Sequence, residues 1–281
     1  MKCSAPIMIK NPDYQIKGYE RMLPVRCGKC EGCLKSRIND WAFRLEQEAK
    51  RSLFVHFVTL TYSPKYVPLQ PSLLPSLSKK DCQKFLKRLR KMHPDANIKY
   101  FICGEYGSRT YRPHYHAIFF NVPERDSFDK AWSYRGQPIG NVHTGDSIDD
   151  GAIPYTLKYM YKKGLVPAFD GDDRLPEFRL MSQRLGDNYL SPAVIKWHLT
   201  DLKNRQYVRF KCGIKVAMPR YYREKLIALS GKPASIFRNN ESVFMTSEDD
   251  DYRTLELRVS VKKKVIRKFQ KERNQINRKK I

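Results

Sequence analysis

NIKYFICGEYGSRTYRPHYHAIFFN, residues 97–121, alternates apolar and polar side chains on both sides of a short glycine-containing turn. That is the pattern of two β-strands joined as a hairpin. In its second strand His114 and His116 are two residues apart, so the period of two sends both imidazoles to one face and Tyr115 to the other. Glu105 lies on the partner strand near the same turn. Two imidazoles and a carboxylate on one sheet surface are the smallest set that holds a divalent ion with coordination positions left open. Histidines on a strand usually carry no chemistry, so the reading depends on what surrounds the hairpin.

Working outward, LFVHFVTLTY (53–62) is rich in β-branched and aromatic residues and reads as a central strand. Pro64, Pro68, Pro71 and Pro75 make the following connection irregular. Ser78 caps a helix over 79–92 that turns Phe85, Leu86 and Leu89 inward and ends before Pro94. A helix within 121–136, with Phe128, Ala131 and Trp132 as its apolar side, and a strand over 139–144 come next. Upstream, residues 34–50 form an amphipathic helix with Leu34, Ile38, Trp41 and Leu45 as its stripe. Downstream, 192–210 has helical spacing and 212–218 reads as extended. The expected architecture is α/β in the α+β sense. It is a central, mainly antiparallel sheet with flanking helices, an N-terminal cysteine knuckle and a basic C-terminal tail. The divisions are 1–50 (knuckle and helix), 51–188 (core), 189–258 (extension) and 259–281 (tail).

The chain has 281 residues, 54 Lys and Arg against 29 Asp and Glu, and a formal charge of +25. Such an excess repels itself unless it meets a polyanion, and nucleic acid is the default partner. The cations are spread along the chain, with no basic amphipathic helix or lipid signal to indicate a membrane. No apolar run resembles a signal peptide or a bilayer span, so the expected compartment is the cytoplasm. Within 262–281 ten Lys or Arg stand against one acid, Glu272, which gives a sequence-independent, salt-sensitive contact to DNA.

Seven cysteines, an odd number with three clustered, fit thiols or a metal better than a disulfide framework. Cys27, Cys30 and Cys33 form C-x2-C-x2-C, and Cys3 completes four ligands for a structural Zn2+; an iron–sulfur cluster and free thiols are the competing readings. Arg37 and Arg44, seven apart on the following helix, are placed to grip phosphates. Arg220-Tyr221-Tyr222-Arg223 mixes cations and rings, as phosphate contact and base stacking on an unpaired strand require.

AIPYTLKYMYKK (152–163) reads as a short helix, on which Tyr155 and Tyr159 share one face about 6 Å apart along the axis, with Lys158 and Lys162 beside them. A phenol, with a reference pKa of about 10, needs nearby positive charge or a polarised electrophile to act as a nucleophile.

RPHYHAIFF (112–120) resembles the His–hydrophobic–His motif of rolling-circle replication initiators, with Tyr115 as the middle residue. FVTLTY (57–62) is similar to their first motif and the helix of Tyr155 and Tyr159 to their third. The resemblance is closer to the replication initiation proteins of the small single-stranded DNA phages of the microvirus group, its gokushovirus branch above all. It takes in PVRCGKCEGCLKSRINDWAFR (24–44), FICGEYG (101–107), LPEFRLMSQRLG (175–186) and MPRYYREKL (218–226), all in order. The resemblance implies a metal-dependent enzyme that nicks and joins DNA at the phage origin in the host bacterial cytoplasm, handing the end to host DNA polymerase and helicase. Glu105, His114 and His116 match the ligands of a Mg2+ or Mn2+ ion. Tyr155 and Tyr159 match the nucleophiles that form a 5′-phosphotyrosine, with Lys158 to stabilise the phosphate. Arg37, Arg44, Arg112, Lys162, Arg220, Tyr221, Tyr222 and Arg223 are the expected DNA contacts. A catalytically inactive protein that binds or packages single-stranded nucleic acid is the alternative; it explains the charge but leaves the Glu–His–His and Tyr–Tyr sets without a use.

Overall fold

The computed structural model describes residues 3–11, 14–15, 21–145, 153, 157, 165–211 and 213–232. In chain order these include β1 (Ile7–Lys10), β2 (Met22–Val25), α1 (Glu31–Arg51), β3 (Val55–Thr61), α2 (Lys79–Met92), β4 (Lys99–Tyr106), β5 (Pro113–Phe120) and α3 (Asp126–Ala131). Then follow β6 (Ser133–Tyr134), β7 (Gln137–Pro138), β8 (Val142–Thr144), β9 (Phe178–Met181), α4 (Pro192–Thr200), β10 (Tyr207–Arg209), β11 (Lys215–Ala217) and α5 (Arg220–Ser230). The chain divides into two compact units, Arg44–Tyr189 on one hand and Met1–Phe43 with Leu190–Ile281 on the other. One border falls inside α1.

The first unit is built on a five-stranded sheet in the order β8-β3-β5-β4-β9, every neighbouring pair antiparallel. The hairpin of residues 97–121 supplies its two inner strands, β4 and β5, closed by bonds from Gly107 N to the Arg112 carbonyl and from Tyr111 N to the Gly107 carbonyl. Alternation decides what each face meets. On β3, His56, Val58 and Leu60 are buried while Val55, Phe57, Thr59 and Thr61 are half-buried. Val58, Leu60, Tyr115, Ala117 and Phe119 belong to one core with Phe85, Leu86 and Leu89 of α2 and Phe128 and Ala131 of α3. Helix α2 buries Cys82, Phe85, Leu86 and Leu89, a single stripe at helical spacing, and the Ser78 hydroxyl caps it by accepting from Asp81 N at 3.1 Å. Trp132 closes this layer, tilted against Tyr62 at 5.1 Å and edge-on to Phe85 at 5.8 Å.

Tyr115, the residue between the two histidines, is fully buried on that core side. Its hydroxyl accepts from Ser78 N at 2.8 Å and shares a bond of 2.9 Å with the Tyr62 hydroxyl, which in turn donates to Asp81. A phenol is thus tolerated in the interior because each polar atom has a partner. Burial pushes its ionisation well above the ordinary tyrosine value, so it is a neutral structural group.

On the opposite face Phe101, Ile118 and Phe120 are also fully buried. Over the start of β4 lie the last turns of α1, where Glu48, 1% exposed, pairs with Lys99 at 3.2 Å and with Arg51 at 2.7 Å and accepts from Gly186 N. A charge so deeply placed persists only because every oxygen is engaged. Beside β3, residues 139–141 run so close that Thr61 N donates to the Asn141 carbonyl and Ser63 N to the Ile139 carbonyl. A Cβ on Gly140 would fall 1.7 Å from the Thr61 carbonyl oxygen.

The second unit holds the β1–β2 and β10–β11 hairpins, the head of α1, and helices α4 and α5. Its core includes Phe43, edge-on to Phe210 at 5.6 Å and to Tyr222 at 5.9 Å, with Val208, Val216 and Leu226 buried.

Three expectations need correction. The helix expected over 192–210 ends at Thr200, because Asp201 accepts from both the backbone and side chain of Asn204 and the chain turns into the β10–β11 hairpin. The helix expected within 121–136 is short, Asp126–Ala131, and a two-residue hairpin turns at Gly136, whose φ of 80° suits glycine. Strand β9, which pairs with β4, was not expected at all.

Candidate metal centre and nucleic-acid face

The register of the central hairpin places Glu105 opposite His114 and Cys103 opposite His116. All three ligand candidates therefore rise from the face opposite the α2 core. Both imidazoles aim Nε2 at the same Glu105 Oε1, His114 at 2.6 Å and His116 at 3.3 Å. An octahedral ion bound at about 2.1 Å needs neighbouring donors about 3 Å apart, and these separations bracket that value. Glu105 and His116 are buried and His114 half-buried, so the cluster is backed by protein and open on the His114 side.

The far nitrogens are held too. His114 Nδ1 donates to the Arg112 carbonyl at 3.0 Å, which leaves Nε2 of the neutral ring with its lone pair toward Glu105. His116 Nδ1 meets the Thr59 hydroxyl at 3.1 Å, and its ring is stacked on Phe57. Burial by itself pushes the Glu105 carboxyl up, but its hydrogen bonds with His114 and His116 bring it down to about 2, so it is an anion at neutral pH. A hard-oxygen and imidazole donor set with open positions suits a catalytic divalent ion. Thr59→Val, which keeps the shape but not the hydroxyl, is expected to lower Mn2+ affinity by about 10- to 100-fold. Unchanged affinity in calorimetric titration would remove Thr59 from the site.

One row of register partners crosses this face: His143 on β8, Thr59 on β3, His116 on β5, Cys103 on β4 and Arg179 on β9. His143 and Arg179, at its two ends, are exposed. Cys103 is buried, and burial pushes its thiol up to about 12, so it is no nucleophile. Thr59, His143 and Arg179 escaped the sequence reading. Strand alternation gives Thr59 its face, but only non-local pairing shows which strands lie beside β5.

A second cluster gathers Cys3, Cys27, Cys30 and Cys33, whose sulfurs all lie within 4.8 Å of one another. Cys30 Sγ is 3.8 Å from Cys3 Sγ, and Cys27 Sγ is 3.9 Å from Cys33 Sγ. Hydrogen bonds from Lys29 N and Cys30 N hold the Cys27 thiol below its usual range. Those from Ser4 N and Cys33 N bring Cys30 down to about 5, while burial pushes Cys33 up to about 12.

The expected DNA contacts are placed unevenly. Arg37 is exposed and donates to the Gly28 carbonyl. Half-buried Arg44 donates to the Leu185 carbonyl, and exposed Arg112 to the Tyr62 carbonyl. On α5, Arg220 pairs with Glu224, Lys225 lies over the Tyr221 ring, and Arg223 is half-buried. Tyr222 is fully buried against Phe43 and has no face to offer a base. Tyr155, Lys158, Tyr159 and Lys162 lie outside the described residues, as does the basic tail. Of the intervening segment Ile153 and Leu157 are described, both helical, with Leu157 buried. Among the described residues no helix is long and apolar enough to cross a membrane.

Residues 55–164 match the family model of the replication-associated protein ORF2 group. The chain is 31% identical over 180 residues to replication-associated protein ORF2 of Spiroplasma virus 4, a region covering 59% of this chain and 56% of that protein. It is 25% identical over 235 residues to replication-associated protein ORF4 of Chlamydia phage 1, covering 76% of this chain and 57% of that protein. With replication-associated protein VP4 of Bdellovibrio phage phiMH2K it shares 24% over 217 residues, 70% of this chain and 66% of that protein. The chain thus matches between 56% and 66% of the length of these relatives. No solved structure gives a significant match. The antiparallel sheet, the Glu–His–His cluster on its inner hairpin and these similarities together support a Rep-like rolling-circle replication initiator of the metal-binding type.

Proposed function

We propose that this chain nicks and rejoins single-stranded DNA at the replication origin of a microvirus of the gokushovirus type, through a 5′-phosphotyrosine. The observation that carries the reading is the convergence of Glu105, His114 and His116 on one face of the sheet, inside the segment that matches replication-associated proteins. Glu105, His114 and His116 would hold Mg2+ or Mn2+, which when bound supplies Lewis-acid polarisation of a phosphate. A phenolic oxygen of Tyr155 or Tyr159 attacks phosphorus, the bond from phosphorus to the 3′ oxygen breaks, and the phenol loses its proton as the departing oxygen becomes a 3′-OH. The bond energy stays in the tyrosyl ester, so a second 3′-OH can reverse the step and reseal the strand. Two tyrosines let one hold a DNA end while the other cuts the regenerated origin. Lys158 favours the phenolate.

Arg179 and His143 sit at the two ends of the row that contains His116 and are placed to contact the backbone on either side of the scissile phosphate, with Lys162, Arg112, Arg37 and Arg220 as further cationic contacts. Labelled single strands tiled across the encoding phage genome, incubated with the protein and Mn2+, are expected to give a denaturation-resistant adduct. The adduct should persist in Tyr155→Phe or Tyr159→Phe and vanish when both are changed. An adduct in the double variant would assign the chemistry elsewhere.

A further inference from the structure

We propose that Cys3, Cys27, Cys30 and Cys33 hold a single Zn2+ in a closed, purely structural tetrathiolate site that ties the start of the chain to the head of α1. A tetrahedral ion with bonds of about 2.3 Å to sulfur sets its ligands about 3.8 Å apart. The sulfur pairs Cys3–Cys30 and Cys27–Cys33 stand at 3.8 and 3.9 Å, and no pair of the four exceeds 4.8 Å. Sulfurs bound to different irons of a cluster have to lie farther apart than ligands of one ion, so this spacing selects a mononuclear site. It is also well beyond the roughly 2.05 Å of a disulfide.

The backbone around the sulfurs is arranged as an outer layer for such an ion. Cys27 Sγ accepts from Lys29 N at 3.4 Å and Cys30 N at 3.3 Å, and Cys3 Sγ accepts from Cys27 N at 3.3 Å. Donors aimed at sulfur stabilise thiolate charge and fix ligand direction. Gly28, with φ at 74°, turns the chain back on itself between the first two cysteines of the motif, and Arg37 on α1 grips its carbonyl at 3.2 Å. Cys33 lies within the first turn of α1. Zinc with four thiolates carries a double negative charge, and Arg26, Lys29 and Arg37 on the same segment offset it. With four protein ligands there is no position for water or substrate, which distinguishes this centre from the Glu–His–His cluster.

The test uses full-length protein and its His114→Ala/His116→Ala variant, each dialysed and assayed for metals by mass spectrometry. One zinc per chain is expected in both. Cys3→Ser should weaken zinc binding by more than the roughly 10- to 100-fold that loss of an outer-layer partner costs, and Cys3→His should recover most of it, since imidazole can take the same position. Co2+ exchanged into the wild-type protein should give the charge-transfer bands of a tetrahedral tetrathiolate, a readout that needs no variant to fold. Iron with sulfide, metal-free protein with four freely reacting thiols or disulfides, or zinc that disappears with the two histidines would each overturn the proposal.

Discussion

His116→Ala should cut metal-dependent adduct formation by about a thousandfold or more. The estimate follows from the several kcal/mol of charge stabilisation that a bound ion supplies at about 1.36 kcal/mol for each factor of ten. His116 has no substitute nearby: its Nε2 is 3.3 Å from Glu105 Oε1, and the neighbouring positions of its row are Thr59 and Cys103. Loss of the ring also removes stacking with Phe57, so a melting curve taken alongside separates loss of chemistry from loss of fold. Single-turnover cleavage at the wild-type rate, or wild-type cleavage that survives EDTA, would remove the cluster from the reaction.

Gly140→Ala should destabilise the Arg44–Tyr189 unit by roughly 3 kcal/mol, the upper end of overpacking costs. The reason is space. The added methyl would lie 1.7 Å from the Thr61 carbonyl oxygen and 2.7 Å from Tyr62 Cα, and both are backbone atoms without a rotamer to change. That carbonyl also accepts from Trp132 Nε1 at 2.8 Å, so it is held from the core side as well. Moving residues 139–141 away breaks two backbone hydrogen bonds to β3 and displaces Thr61, the register partner of His114. The expected signature is a lower denaturant midpoint together with weaker metal binding. A variant with the wild-type midpoint would show that the segment yields at little cost.

Much of the metal-bearing unit was legible because its signals are local. Period-two alternation gives both strands of the hairpin and the shared face of His114 and His116, and β3 follows from its own composition. Ser78, the apolar stripe of α2 and Pro94 bound that helix. The parts that were not legible depend on distant residues. Phe178–Met181 is four residues long, too short for a pattern, and is a strand because β4 offers it an edge. Helical spacing persists past Thr200, but the side chain of Asp201 captures Asn204 and ends the helix. Tyr222 looked like a stacking platform because cations flank it; on α5 it lies four residues before Leu226, and both point inward. The four cysteines could be counted from sequence, but bringing Cys3 to the C-x2-C-x2-C turn is a matter of tertiary structure.

The buried phenol of Tyr115 has a consequence for how errors in strand pairing are tolerated. On β5 the ligands and the interior side chains alternate residue by residue, so a slip of one position would drive both imidazoles into the hydrophobic layer and expose Tyr115, Ala117 and Phe119 to water. A misaligned chain therefore loses its interior at the same moment as its ligands. Stability acts as a proofreader of the metal-binding geometry, and folded molecules with a scrambled centre do not accumulate.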